Sequence, residues 1–136
     1  MEILDQPNEP DLLQAIEAEQ SVLGALLLDA ASIDRIPWLS PEHFAHESHR
    51  IIFKAEHTLI ERGACDIVLL ANALKSSGDL ERIGGIAYLA TLTQVVQAAY
   101  NIARYAEIVR DKAILRSLAA KAAEVLDAST KWFPIA

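Results

Sequence analysis

The chain has 136 residues, of which 52% are hydrophobic and 23% charged, and it carries a formal net charge of −7. This length and composition are typical of one globular domain with its own core, and they exclude a disordered chain. No apolar run approaches the roughly 20 residues of a membrane span, so we expect a cytoplasmic chain with no membrane partner.

Charge is unevenly distributed along the chain. Residues 1–100 hold 6 Lys and Arg against 15 Asp and Glu, whereas residues 101–136 hold 6 against 4. An acidic chain is disfavoured as a nucleic-acid binder, because lysine and arginine supply most of the affinity for phosphate groups. The distribution favours a protein partner.

Helix signals recur throughout the sequence and strand signals are nearly absent. We therefore predict an all-α fold: a compact head of about five to six helices, followed by a long C-terminal helix. In chain order, the predicted units are a flexible arm (1–10), the helical head (11–100), the long helix (101–130) and a tail (131–136).

The stretch from Glu17 to Asp29 is predicted to be a helix around which the head is organised. Glu17 and Glu19 form an acidic first turn, and Asp11 is a predicted cap slightly upstream. Gly24 lies in the middle of the helix, where glycine costs about 1 kcal/mol relative to alanine, so we expect another helix to approach there. An apolar stripe marks the buried face: Ile16, Leu23, Leu26 and Leu27.

Start and stop signals place the later elements of the head. Ser40-Pro41-Glu42 predicts a helix opening, and apolar periodicity over 47–62 predicts a helix that ends at a glycine. Asp66 is a predicted cap for a helix that stops at Gly78, and Gly85 is predicted to start the next one.

The last helix, predicted from Ile102 to Ala128 with Asn101 as its cap, carries more apolar positions than one contact requires. One set follows a heptad-like seam: Ile108, Leu115, Leu118, Ala122 and Val125. A second set widens the face: Tyr105, Val109, Ala113 and Ala120. We predict that one side packs on the head and another is offered to a second chain; an entirely intramolecular helix is the alternative.

Residues that could support catalysis are sparse. The chain contains no Gly-x-x-x-x-Gly-Lys-Ser/Thr loop for a nucleoside triphosphate. His43, His46 and His49 recur near Glu47, but Arg50 stands where a zinc motif of the His-Glu-x-x-His type needs its second histidine. We predict no metal site and no catalytic residue, while a small metal-dependent enzyme stays open as a hypothesis.

The lone Cys65 has no histidine or second cysteine in a recognisable relation to it. A nucleophile is therefore not expected, and we predict that this side chain is small apolar filler in the core.

Several segments, among them Ile16-Glu-Ala-Glu-Gln-Ser-Val-Leu-Gly-Ala-Leu-Leu-Leu-Asp29 and Gly84-Gly-Ile-Ala-Tyr88, resemble the N-terminal domain of replicative DNA helicases of the bacterial DnaB family. The other segments that carry the resemblance are 39–44, 49–55, 60–63 with Asp66, 80–83 and 99–116. They keep one order and spacing over about Ile16 to Val125, so the resemblance covers nearly the whole chain.

The resemblance implies that this region is the collar of a hexameric helicase that unwinds DNA with ATP and Mg²⁺ as part of the primosome. No catalysis or cofactor is expected in this piece, and DNA is contacted only through a motor domain. Self-association into dimers and a trimer of dimers is implied, with predicted contacts at Tyr105, Ile108, Val109, Leu115, Leu118 and Ala122. The C-terminal domain of primase is the second implied partner, with predicted contacts at Tyr88, Leu118, Ala119 and Val125.

The sequence departs from the family pattern at several points. Ala15 stands where a serine is usual, residues 96–101 lack the usual proline-containing link, and Ala119 stands where a branched residue is common. The chain ends at Ala136, where a second hairpin helix, a linker and the ATPase domain are expected. The preferred interpretation is a fragment of a helicase, and the alternative is a stand-alone homologue of the collar that acts as an adaptor or regulator.

Overall fold

The computed structural model describes residues 9–96 and 99–132, and the side chains of residues 9–14 lie outside the description. Within these ranges every regular element is helical, which confirms the all-α prediction. The α-helices are α1 (Glu9–Leu28), α2 (Glu47–Glu61), α3 (Ile67–Ser77), α4 (Gly85–Val95) and α5 (Ile102–Trp132). Short 3₁₀ helices span Ala30–Arg35, Pro41–His43 and Ala99–Asn101.

The predicted caps of α3 and α4 are confirmed. The Asp66 side chain accepts a hydrogen bond from the Leu69 amide at 2.8 Å and so begins α3. Gly78 ends α3 with φ 82°, and Gly84 precedes α4 with φ 108°, a region that side chains with a Cβ rarely enter. These two turns set the path of the chain from α2 to α4.

The Ser40-Pro41-Glu42 opening leads to a much shorter element than a full helix. It forms one 3₁₀ turn, Pro41–His43, in which the Ser40 amide donates to His43 Nδ1 at 3.0 Å. A second start at Glu47 then begins α2. The opening is therefore used to turn the chain toward α2 and not to begin it.

Helix α1 is the centre of the head, because α2, α4 and α5 all pack against it. It begins at Glu9, so Asp11 lies inside the helix and not at its cap, and Glu19 lies in mid-helix and not in an acidic first turn. The core side chains Val22, Leu23 and Leu26 are fully buried on this helix.

Gly24 is the closest approach between α1 and α4. A Cβ added at this glycine would lie 2.1 Å from the Leu92 carbonyl oxygen, which is far inside any permitted contact. The prediction of a close approach at this glycine is confirmed, and the absence of a side chain is what allows α4 to pack against α1.

Helix α5 is buried against the head over its first turns, and further along it Arg116 donates to the His43 carbonyl at 2.9 Å. Its buried side chains are Ile102, Ala106 and Val109, and their spacing of four and three residues defines one face against the core. From Ile114 onward every described residue of α5 is exposed.

Candidate protein interaction surfaces

The exposed part of α5 carries large apolar side chains that the head does not cover. Leu118 is 60% exposed, Val125 69% and Trp132 80%. The other large apolar residues on this stretch have similar exposure: Ile114, Leu115 and Leu126. A row of such residues on one helix is a typical protein contact surface, whereas scattered ones would need no explanation.

The exposed apolar row and the buried face lie on opposite sides of α5. Successive residues of an α-helix are about 100° apart, so Ile114, Leu118, Ala122 and Leu126 fall within an arc of about 120°. Ile102, Ala106 and Val109 lie on the other side of the helix axis by the same count. The exposed row is therefore a second apolar face and not a continuation of the head core.

The predicted interface residues of α5 divide between these two faces. Most of them are exposed on the part of α5 from Ile114 to Trp132, the outer stretch of the helix: Leu115, Leu118, Ala119, Ala122 and Val125. Ile108 lies nearer the head and is 41% exposed.

The remaining two predicted residues are used within the head. Tyr105 is partly buried against the head core, and Val109 is 1% exposed inside it. We therefore leave Val109 out of the proposed interface, since its side chain is already packed within its own chain.

Tyr88 lies on α4, away from the outer stretch of α5, and belongs to a polar cluster that joins three helices. Glu19 of α1 accepts from His49 Nδ1 of α2 at 2.6 Å, and His49 Nε2 is hydrogen-bonded to the Tyr88 hydroxyl. Gln20 Nε2 donates to the same hydroxyl at 3.2 Å, and the Ala45 amide donates to Glu19 Oε2 at 2.7 Å. No hydrogen bond among the described residues links this cluster to Leu118, Ala119 or Val125.

Burial of this cluster differs between its members. Glu19 and His49 are 1% and 2% exposed, whereas the Tyr88 ring, which stacks on the His49 ring at 5.8 Å, keeps part of its surface in solvent. Partial burial raises the pKa of the Tyr88 hydroxyl, the Gln20 hydrogen bond lowers it, and the charge of Glu19 raises it. Burial therefore favours the neutral form of the hydroxyl.

Sequence reasoning did not find Glu19 or the true role of His49. The only sequence signal is helical spacing. Glu19 precedes Val22 and Leu23 by three and four residues, and His49 precedes Ile52 and Phe53 by the same steps. A buried acid needs a partner, and that partner is 30 residues away in the chain.

Two of the three histidines considered as metal ligands are engaged in hydrogen bonds within the head. His43 Nδ1 accepts from the Ser40 amide, and both ring nitrogens of His49 are engaged by Glu19 and Tyr88. Over 15–96 and 99–132, the structure places no three acidic, histidine or cysteine side chains where they could hold a metal ion.

A second buried acid, Glu56 on α2, has no partner. It is fully buried, and neither carboxylate oxygen has a hydrogen bond within the part of the chain that the structure describes. Burial raises the pKa of Glu56 well above its ordinary value, because desolvation disfavours the charged carboxylate.

Cys65 occupies the core, as the sequence predicts. Its side chain is 8% exposed, and burial, with the charges of Glu56 and Asp66, raises the pKa of the thiol to about 12. A thiol in that state is protonated at neutral pH and packs as apolar filler.

An open groove of about 480 Å³ runs between α2, α3 and the turn at 79–82. Its floor is apolar, with Ile51 and Leu74, and its rim pairs Arg82 with Glu47 and Asp79. Two further cationic residues, Lys54 and Arg62, also line the groove. No described helix of the chain is long and apolar enough to span a bilayer.

A head closed around its own core and a projecting helix with a free apolar face define a protein interaction domain. The sequence model of the DnaB-like helicase N terminal domain matches residues 11–111, three quarters of the chain. The chain belongs to this family, as its sequence segments predict.

Replicative DNA helicases are among its relatives. The chain is 44% identical over 107 residues to the replicative DNA helicase DnaB of Geobacillus stearothermophilus, and the matched segment covers 77% of this chain and 24% of the relative. It is 38% identical over 120 residues to that of Buchnera aphidicola, with 87% and 26% covered. The chain thus spans about a quarter of the length of these relatives.

Solved structures of the same kind share the fold. The N-terminal domain of DnaB helicase from Mycobacterium tuberculosis aligns with a TM-score of 0.83 and 38% identity, covering 89% of this chain and 88% of that one. A DnaB-like replicative helicase, described together with its interactions with primase, aligns with a TM-score of 0.71 and 26% identity, covering 84% and 27%.

Proposed function

We propose that this chain is the N-terminal collar of a hexameric replicative DNA helicase, which holds subunits together and receives primase. The observation that carries the proposal is the free apolar face of α5, turned away from the head that the same helix helps to build. Its relatives are named replicative DNA helicases, so we place this face in the subunit contacts of such a helicase.

Self-association is assigned to the outer stretch of α5. Leu115, Leu118 and Ala122 lie close together on the exposed face, and the small alanine allows a second helix to approach. Burial of apolar area at about 25 cal/mol per Å² would drive the pairing, before the cost of association is subtracted. A dimer built on this face is the unit from which a trimer of dimers would be assembled.

Primase docking is assigned to the exposed surface around Tyr88 and to Leu118, Ala119 and Val125. The support is that a structural relative is described with its primase interactions. The two sets lie on different helices, so a single primase domain would either bridge α4 and α5 of one chain or use α5 of a neighbouring chain.

Chemistry is assigned to the rest of the parent helicase. ATP, Mg²⁺ and DNA would be bound by its motor domain, and the collar would act through protein contacts alone, in the cytoplasm where replicative helicases work. The acidic head, with its excess of nine negative charges over residues 1–100, supports an indirect role toward DNA.

A calorimetric titration tests the docking role. The chain is titrated with the C-terminal domain of primase from the same source, and the Leu118→Asp and Tyr88→Ala variants are compared with Val68→Asp. Val68 is 72% exposed on α3 and lies outside both proposed sets, so it controls for a new surface charge. Saturable binding that weakens in the first two variants only is expected, and no binding at high micromolar concentration would overturn the proposal.

A further inference from the structure

The partners of His49 determine which of its ring nitrogens carries the proton. Nδ1 lies 2.6 Å from a Glu19 carboxylate oxygen, and a carboxylate can only accept. In a ring with one proton, that proton is therefore on Nδ1. Nε2 is left as an acceptor, and the group beside it that can donate is the Tyr88 hydroxyl.

This arrangement fixes the polarity of the Tyr88 hydroxyl. A phenolic hydroxyl has one proton to donate and oxygen lone pairs to accept with. The proton is directed inward to His49, and one lone pair accepts from Gln20 at 3.2 Å. Any further hydrogen-bond partner of this oxygen must therefore be a donor.

Both oxygens of Glu19 are used as hydrogen-bond acceptors within the head. Its second oxygen accepts the Ala45 amide at 2.7 Å, so both carboxylate oxygens meet donors, and the side chain is 1% exposed. The charged groups near the cluster do not compete for it: Arg50 donates to the Phe44 and Ala45 carbonyls, and the His46 ring meets His49 only edge-on.

The surrounding charge favours a cationic donor over a neutral one. A buried carboxylate lies behind the hydroxyl, and the head as a whole is acidic. A lysine or arginine that reached the Tyr88 oxygen would donate to it in a negative electrostatic field. A carboxylate has no proton to donate and would be repelled by that field.

We propose that Glu19 and His49 are positioning residues that present the Tyr88 hydroxyl as an acceptor for a lysine or arginine of the docking partner. The inference rests on the docking role proposed for Tyr88 above. It adds the chemistry of the contact, in which the partner is the hydrogen-bond donor and the Tyr88 oxygen the acceptor. Glu19 and His49, which are buried, fix this direction without touching the partner.

Nitrogen NMR of the histidine rings tests the positioning step without any partner. We expect His49 to have a protonated Nδ1 and a bare Nε2. Tyr88→Phe should shift the Nε2 signal and leave Nδ1 in place, with the exposed His57 as the internal control. A protonated Nε2 in the wild-type chain would overturn the inference, because the hydroxyl proton would then be free to point outward.

Glu19→Gln is the variant that should reverse the polarity. A glutamine oxygen can still accept the Ala45 amide, but its NH₂ group faces His49 Nδ1 and moves the ring proton to Nε2. The Tyr88 hydroxyl would then accept from both His49 and Gln20 and donate outward. We expect the reversed nitrogen pattern in the NMR spectrum, and an unchanged pattern would overturn the role of Glu19.

Binding of the primase C-terminal domain completes the test. Glu19→Gln should weaken binding about tenfold, the loss of one hydrogen bond to a charged donor, and Glu17→Gln, an exposed acid on the same helix, should not. If Glu19→Gln fails to fold by circular dichroism, Tyr88→Phe tests the same contact and should lose as much. Binding of wild-type strength by Glu19→Gln or by Tyr88→Phe would overturn this inference alone. If the wild-type chain does not bind, the docking role is overturned and this inference with it.

Discussion

The head and the outer stretch of α5 use apolar residues in opposite ways. In the head, leucines such as Leu23, Leu26 and Leu89 are fully buried, and even two acids are enclosed. On α5 beyond Ile114, leucines and a tryptophan of the same chain are more than half exposed, and no described residue of that stretch is buried. The same side chains therefore stabilise the head in one region and are available for association in the other.

This contrast implies that the two regions respond to mutation in different measurements. Changes in the head should alter the free energy of unfolding. Changes on the outer face of α5 should alter molecular mass or partner binding and leave the fold of the head intact.

The largest loss of stability is expected at Gly24. Gly24→Ala places a methyl group 2.1 Å from the Leu92 carbonyl oxygen, so α4 must move away from α1. We expect a loss of about 3 kcal/mol or more in the free energy of unfolding, measured by chemical denaturation. Ala119→Gly, a change of the same size on the outer stretch, should cost about 1 kcal/mol at most, and equal costs would contradict the contrast.

Glu56 should make the stability of the head depend on pH. Its pKa is raised in the folded chain above the value of about 4.3 of an unfolded one, so folding retains a proton that unfolding releases. The contribution of Glu56 to the free energy of unfolding is then largest below about pH 4.3, and it falls by about 1.4 kcal/mol per pH unit until the raised pKa is reached.

Glu56→Gln removes this titration while keeping the volume of the side chain. Denaturation of the variant at several pH values between about 5 and 7 should show a flatter profile than the wild-type chain. Glu61→Gln, an exposed acid on the same helix, should retain the wild-type slope. A parallel profile for Glu56→Gln would mean that the carboxyl finds a partner or water on ionisation.

A smaller loss is expected where α5 leaves the head. The Arg110 guanidinium lies 4.5 Å from the centre of the Trp38 ring, an interaction worth about 0.5–1 kcal/mol at a partly exposed site. Arg110→Ala should lower the free energy of unfolding by about that amount and change the Trp38 fluorescence. Lys121→Ala on the outer stretch should do neither.

The smallest effect on the head is expected from Leu118→Asp. The residue is 60% exposed, so the free energy of unfolding should change by less than about 0.5 kcal/mol, with an unchanged helical circular dichroism spectrum. Light scattering should nevertheless report a shift toward monomer, since a charge would enter the proposed interface. An unchanged mass would remove this face from the self-association proposal.

Local signals in the sequence determined the helical elements of the head and the close approach at Gly24. Asp66, Gly78 and Gly85 act within a few residues of their position, and a glycine in a strong helix has few explanations other than contact. The family was determined too, because its segments keep their order along the chain. The start of α1 was missed, since the capping signal at Asp11 competes with a helix already formed from Glu9.

Only the tertiary structure decided which residues share a site. Glu19 and His49 are 30 residues apart, and Tyr88 a further 39, so their cluster exists only because α2 and α4 both pack on α1. The buried side of α5 was decided in the same way, because periodicity finds two apolar faces and cannot say which one the head covers. Periodicity and caps are local properties of the chain, whereas burial and hydrogen-bond partners arise from contacts between distant segments.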